Sequence, residues 1–298
     1  MAANVASIEI LRPRLQRIAR WAGGTWAFYV NDLRQSASLG IREQEAFPSA
    51  SIIKLPILLR VLERVGRGEV SLDDTVTLTA WHKTGGSGIF QHFRDGTAFR
   101  LEDACTAMTV LSDNTATNLV IDVAGIEGTN RFLEAAGCDR TRLHRYIGKP
   151  EMPGWGGAEG PSQAAPVEMG RLLEGLAEGE LPGLTPELCR RAVLFLRKQQ
   201  HRALAPRLLP EGTVMAHKTG SLDGLRHDVG LLWLPERGAG RSGEKRDVMA
   251  LPSDALPSGK PVVFVAMSRG VPDLRWTVEN RAEVAIGRAA RAVYDALT

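Results

Sequence analysis

The sequence predicts an α+β fold in which an antiparallel sheet flanked by terminal helices is joined to an all-α domain. Three observations carry this. Strand-like segments cluster at the two ends of the chain, and nearly everything between them reads as helix. The length of 298 residues suits one large domain or two modest ones, at about 100–200 residues each. Strands supplied by both ends of a chain bury their apolar faces by pairing in a common sheet. Residues 1–48 and 208–298 are therefore assigned to a discontinuous sheet domain and residues 49–207 to a helical domain. The cleft between them is the expected place for a site.

Residues 6–20 set Ile8, Ile10, Leu11, Leu15 and Ile18 at helical spacing, with Pro13 near the helix start. After Gly23-Gly24 comes Thr25 to Val30, an aromatic and β-favouring run that ends in a turn at Asn31-Asp32. Ser51 to Val65, Leu101 to Leu111, Thr115 to Val123 and Val167 to Leu176 then repeat a 3.6-residue apolar period, with Gly or Pro between them. Strand-like sequence returns at Thr213 to His217, Asp228 to Leu234 and Pro261 to Met267. A closing helix runs through Val278, Ala282, Ala285, Ile286, Ala289 and Val293. The Gly-rich stretches 154–160 and 237–243 read as loops. For Pro235 to Lys260 two readings stay open: a mobile hairpin, from its Gly and Ser content, or a short extra strand built on Val248, Met249 and Leu251.

Hydrophobic residues make up 44% and charged residues 24% of the chain, which excludes fibrous and low-complexity classes. A net charge of +3 with no run of five like charges gives no footprint for nucleic acid. The richest basic stretch, Arg190 to Arg207, reads as a solvated helix face. Apolar stretches such as Pro261 to Met267 fall far short of the roughly 20 residues of a membrane helix, so no membrane partner is expected. The start MAANVASIEILRPRL lacks a basic-then-apolar leader. As written the sequence reads as cytoplasmic, and as periplasmic or secreted if a leader precedes it. Cys105, Cys138 and Cys189 fit neither a disulfide framework nor a zinc knuckle and read as buried fillers. No H-E-x-x-H spacing occurs, and neither metal nor cofactor is expected.

Three short motifs carry the chemistry. In Ser51-Ile52-Ile53-Lys54, an S-x-x-K at a helix start, the serine and lysine project from one face, so the amine can take the hydroxyl proton. Alone, it equally fits a serine cap followed by a solvated lysine. Ser112-Asp113-Asn114 lies in a tight helix-to-helix connection and alone fits a capping turn. Lys218-Thr219-Gly220 ends a strand-like segment before a short turn, a placement suited to a sheet edge facing a cleft. A second K-T-G, Lys83-Thr84-Gly85, has no strand before it and reads as a chance loop match.

Together, S-x-x-K, S-D-N and K-T-G in this order form the signature of class A β-lactamases and penicillin-binding proteins. The chain resembles that family in order and spacing, Ser112 lying 61 residues after Ser51 and Lys218 a further 106 on. The runs SDNTATNLVIDVAG and GSGIFQHFRDG add to the resemblance, which extends from about Trp26 to the last helix. It implies a β-lactamase/transpeptidase-like fold and a serine hydrolase that forms an acyl-enzyme on Ser51 with a β-lactam or a peptidoglycan-like small molecule. On the family pattern Lys54 accepts the serine proton, Ser112 passes one to the leaving nitrogen, and Lys218 keeps the region electropositive. Asn114 holds the substrate amide and Lys54. Thr219 and Arg226 bind the substrate carboxylate, with Arg269 the next candidate. Gly220 lets the ligand lie along the strand, and the backbone N–H groups of Ser51 and Ser221 form the oxyanion pair.

Two departures bear on the reaction. Class A β-lactamases carry a loop of E-x-E-L-N type whose first glutamate activates the deacylating water. Here the corresponding stretch is read as Lys149-Pro150-Glu151-Met152-Pro153, with Lys149 at the glutamate's place. Glu151 matches the second, non-catalytic glutamate, and a rescue by Glu151 or Glu159 needs another loop register. A lysine there is expected to add to the positive potential around Lys54. The second departure is Pro235 to Lys260, long where relatives have a short turn. Deacylation is therefore expected to be slow. A D-alanyl-D-alanine carboxypeptidase of penicillin-binding type, or a covalent β-lactam sensor without turnover, stands as the alternative.

Overall fold

The structure is a computed structural model and describes residues 8–152, 160–235 and 255–298. The N-terminal helix α1 (Leu11–Ala22) carries Pro13 in its first turn, where a missing N–H leaves no helical bond broken. Strands β1 (Thr25–Asp32) and β2 (Ala37–Ile41) follow. From the other end come β8 (Val214–Leu222), β9 (Leu225–Trp233), β10 (Val262–Arg269) and the closing helix α8 (Arg281–Leu297). These strands form one antiparallel sheet in the order β2-β1-β10-β9-β8. The two chain ends meet at β1 and β10, whose register runs from Thr25 opposite Arg269 to Asp32 opposite Val262. β2 was not legible as a strand, because its sequence ASLGI has neither aromatic nor strongly β-branched character.

Side-chain alternation divides the sheet into two faces. Phe28, Val30, Leu232, Phe264 and Ala266 pack outward under α1 and α8, against Leu15, Ala285, Ile286, Ala289 and Val293. Ala27, Val229, Leu231, Val263, Val265 and Met267 face inward, onto the helical part. The centre of that part is α2 (Lys54–Gly66), preceded by a 3₁₀ turn over Ala50–Ile53. Nine of its residues, Lys54 among them, are buried, as expected of a helix apolar nearly all round. Around it lie α3 (Leu101–Val110), α4 (Asn114–Ala124), α5 (Ile126–Ala135), α6 (Pro166–Glu178) and α7 (Pro186–Arg197).

The helical part is not purely helical. Short strands β3 (Phe47–Pro48), β6 (Arg142–Leu143) and β7 (Ser162–Ala164) form a three-stranded sheet, and β4 (Thr75–Thr77) pairs with β5 (Ala98–Arg100). Pairs of two or three residues have no readable alternation, so periodicity does not announce them. The closing helix begins at Arg281 rather than at Val278, because Asn280 caps it by accepting from the backbone N–H groups of Ala282 and Glu283. The Gly-rich stretch 237–243, most of 154–160, and the hairpin or strand read around Val248, Met249 and Leu251 lie outside the described residues. No helix of the described residues is long and apolar enough to cross a membrane.

Candidate active site

Lys218, Thr219 and Gly220 sit within β8, the free edge of the sheet, rather than after its end. The Arg226 N–H turns to the Ser268 hydroxyl on the β10 side, at 3.1 Å. Ser221 and Arg226, directly opposed across β8 and β9, are therefore a non-hydrogen-bonded pair, and the Ser221 N–H and C=O point off the open edge. Gly220 meets the turn that bears Ser51. A Cβ at 220 would stand 3.1 Å from the Ser49 carbonyl oxygen and 3.2 Å from the Ser51 nitrogen. Only glycine lets the strand and the turn approach this closely without displacement.

The turn itself is held from several sides. His227 Nε2 lies 2.8 Å from the Pro48 carbonyl, Ser49 Oγ lies 2.5 Å from Ser162 Oγ, and Ala50 adopts φ +44°. The Nε2–H donates to the Pro48 carbonyl, and Nδ1 faces both the Ser268 N–H and the Arg226 carbonyl oxygen. Burial pushes His227 down to about 4, which keeps the ring neutral and the tether intact at ordinary pH. Ser51 is half-buried in the 3₁₀ turn, with Lys54 at the first position of α2.

The Lys54 amine is buried with three acceptors around it: the Ser112 carbonyl at 2.7 Å, the Ser112 hydroxyl at 3.1 Å and Asn114 Oδ1 at 2.8 Å. Lys218 approaches Ser112 Oγ from the other side at 3.0 Å and also donates to the Thr219 carbonyl at 2.9 Å. One hydroxyl thus lies between two buried amines. Burial foremost, and then the charge of Lys218, hold Lys54 well below the usual lysine range, with Asp113 pulling the other way. Burial brings Lys218 down to about 7 despite the opposing charge of Asp228. With at least one amine neutral, the Ser112 hydroxyl donates to one nitrogen while accepting from the other, which is a path for a proton.

Ser112 holds φ +57°, a left-handed conformation for a residue with a Cβ, at a strain of about 1–3 kcal/mol. Asp113 braces it. Its carboxylate caps α4 at the Ala116 N–H and accepts the N–H groups of Ile89 and Phe90. Asn114 Nδ2 donates to the Gly85 carbonyl at 3.0 Å. The loop carrying Lys83-Thr84-Gly85 therefore borders the site, yet Lys83 itself pairs with Asp95 at 2.7 Å and Thr84 is tied to Thr115.

Two sequence readings are corrected. Arg226 is buried on the outer face of the sheet and does not offer itself to a substrate carboxylate. Its guanidinium is committed to Glu283 at 3.1 Å and to the carbonyls of Leu222, Leu225 and Arg275, and it stacks on Trp276. The next candidate, Arg269, pairs with Glu45 and stacks on Phe47. Lys149 does not join the lysine pair: its Nζ lies 3.4 Å from the Lys83 carbonyl and over the Trp81 ring, and the charges acting on Lys54 are those of Lys218 and Asp113. Glu151 is exposed, and Glu159 lies outside the described residues.

Sequence reasoning missed Asn118, His227 and the buried His217–Asp228 pair, which is 2.8 Å apart. Asn118 is the informative omission. It brackets Ile147 by accepting its N–H at 2.9 Å and donating to its carbonyl at 3.0 Å. Its position one helical turn beyond Asn114, on the same face, was the available signal.

The β-lactamase enzyme family model matches residues 10–239. The chain belongs to that family. A β-lactamase of Streptomyces fradiae is 27% identical over 96% of this chain and 85% of its own. The crystal structure of a β-lactamase from Sphaerobacter thermophilus DSM 20745 is 28% identical, covers 96% of each chain and superposes with a TM-score of 0.79. A mutant of PBP-A, solved as an acyl-enzyme complex with penicillin G, shares the fold at 23% identity and a TM-score of 0.78, over 97% of this chain and 96% of its own. The chain is a β-lactamase-like serine hydrolase with a β-lactamase/transpeptidase-like fold.

Two consequences are measurable. The folded protein binds the Lys218 proton less tightly, at about 7, than an unfolded chain whose lysine stays near 10.5. Between those values the unfolded state holds more protons, so Lys218 makes stability rise with pH, and its burial penalty is fully present below the lower one. Lys218→Met is expected to stabilise the protein in urea unfolding, more at about pH 6 than at about pH 10. A gain that is equal at both would contradict the burial account. Arg226→Ala strands Glu283, which is mostly buried, and is expected to lower stability by about 3–5 kcal/mol. Acylation by carboxylate-bearing and neutral substrates should then fall in equal measure, whereas selective loss on the carboxylate would return Arg226 to the binding site.

Proposed function

We propose that the protein acylates Ser51 with β-lactams or related amides and esters and releases the acyl group slowly. The observation that carries this reading is the Ser112 hydroxyl held between the buried amines of Lys54 and Lys218. A neutral Lys54 takes the Ser51 proton as the oxygen attacks the carbonyl carbon. The oxyanion is met by the Ser51 N–H, which begins the turn and lacks a helical acceptor, and by the Ser221 N–H on the open edge. The carbon–nitrogen bond then breaks, and Ser112 hands its proton to the leaving nitrogen and is reprotonated along the Lys54 and Lys218 path. Asn114 and the Thr219 hydroxyl hold the substrate amide and carboxylate, and Gly220 keeps the strand clear.

Slow release rests on the lack, among the described residues, of a free carboxylate beside Lys54 to act on water. The carboxylate that acts on Lys54 is that of Asp113, whose two oxygens already take three backbone N–H groups. Lys149 is turned to Lys83 and Trp81, and an ammonium accepts no proton. The loop residue that Asn118 holds against α4 is Ile147, which has no acid to offer. A long-lived acyl-enzyme also fits a penicillin-binding carboxypeptidase or a β-lactam sensor, which remain the alternative readings.

Intact-mass spectrometry after incubation with penicillin is expected to show one adduct that is absent in Ser51→Ala. An adduct retained in that variant would exclude Ser51. In stopped-flow hydrolysis of a chromogenic cephalosporin, a burst should precede a slow steady state. A carboxylate at the bracketed loop position should speed release, so Ile147→Glu is expected to raise steady-state turnover at least about tenfold, roughly 1.4 kcal/mol of barrier, and more than Lys149→Glu does. Burst-free turnover by the unaltered protein at β-lactamase-like rates would overturn slow release.

A further inference from the structure

Beside Ser112 lies an apolar cavity of 390 Å³ that the acyl-transfer steps do not use. One wall is α3, through Ala107 and Val110, and the other is the loop bearing Ile89, Phe90 and Phe93, with Phe99 beneath. Three rings form its aromatic side: Phe90 stacks on Phe99 at 4.1 Å, and Phe93 meets both edge-on. Ile89 and Phe93 are exposed at 51% and 39%, an apolar surface left to water at about 25 cal/mol per Å².

The cavity adjoins the S-D-N turn along the chain. Leu111 lines it and is bonded directly to Ser112. The N–H groups of Ile89 and Phe90 are held by the Asp113 carboxylate, and the Ser87 hydroxyl by the Leu111 carbonyl. The wall is thus fixed by the same residues that fix the S-D-N turn, whose Ser112 hydroxyl serves the leaving nitrogen in the acyl-transfer reading. Its single charged lining residue is Asp103, with Gln200 as a polar neighbour. That composition disfavours anionic groups and accepts neutral or cationic ones. The volume is at the small end for a ligand pocket and suits one aromatic ring with its linker.

We propose that this cavity is a subsite for an uncharged or cationic aromatic substituent on the leaving-group side of the acylating substrate. The proposal rests on the acyl-transfer reading and defines which substrates that site prefers. Two cephalosporins with the same acyl side chain are compared, one with a neutral aryl substituent on the dihydrothiazine ring and one with methyl. Second-order acylation is expected to be at least about tenfold faster with the aryl compound. Thr106→Trp, on the cavity wall, should abolish that preference and leave the methyl compound unchanged. Equal acylation of both compounds, or an aryl preference that survives Thr106→Trp, overturns the subsite.

A separate measurement keeps the two readings distinguishable. In Ser51→Ala, which cannot be acylated, indole is titrated while the Ile89 methyl resonances are followed by NMR. Saturable shifts that disappear in the Ser51→Ala, Thr106→Trp double variant support the cavity. Such binding combined with no acylation by either cephalosporin would overturn the acyl-transfer reading and keep an aromatic-binding cavity. No saturable shift overturns the subsite.

Discussion

Two lysine amines share one serine hydroxyl in a place where neither reaches water. Without a carboxylate partner, both cannot be charged at once without a severe desolvation penalty, so burial keeps an amine neutral and able to accept a proton. Much of the remaining architecture serves this constraint. The all-round apolar helix α2 carries Lys54 into the interior, the edge strand β8 turns Lys218 inward, and the strained turn at Ser112 presents its hydroxyl and its carbonyl to Lys54 together. Asp113 stabilises that turn while its own charge is spent on backbone N–H groups, which leaves it a brace rather than a base.

The turn that bears Ser51 is set by approach distance more than by polar contacts. Where β8 crosses it, the strand has no side chain, and the neutral His227 ring ties Pro48 to the next strand. The same edge presents backbone donors outward, since among the described residues β8 has a neighbour on one side only. A sheet edge is usually a liability. In this molecule it lies against the turn that bears Ser51.

The architecture was legible because its long elements are strongly periodic: the terminal helices, four of the five strands of the main sheet and the helical middle appear where apolar spacing puts them. Lys54, Ser112 and Lys218 were legible as members of short motifs whose separation in sequence exceeds any local structure, so their meeting reflects the sheet and α2 together. What did not show was of two kinds. Two-residue strands such as β3 and β6 leave no period to detect. Arg226 and Lys149 were judged by position along the chain, whereas their partners are set by direction: strand alternation sends Arg226 to the outer face beside Glu283, and the loop carries Lys149 to Trp81. Asn118 was hidden because an asparagine inside an apolar helix looks like a tolerated exception until its two bonds to Ile147 are seen.

The pairing of β1 with β10 joins residues at opposite ends of the polypeptide. On a ribosome, β1 and β2 emerge first and must wait for almost the whole chain before the central neighbour of β1 exists. Until then β1 offers an unpaired edge, and Lys218, separated from it by β10 and β9, has no fixed place opposite Ser112. Long-range closure of this kind slows folding and prolongs exposure to aggregation. Assembly of the site consequently waits for β8, β9 and β10, and the enzyme has no chemistry to offer until those strands have been delivered.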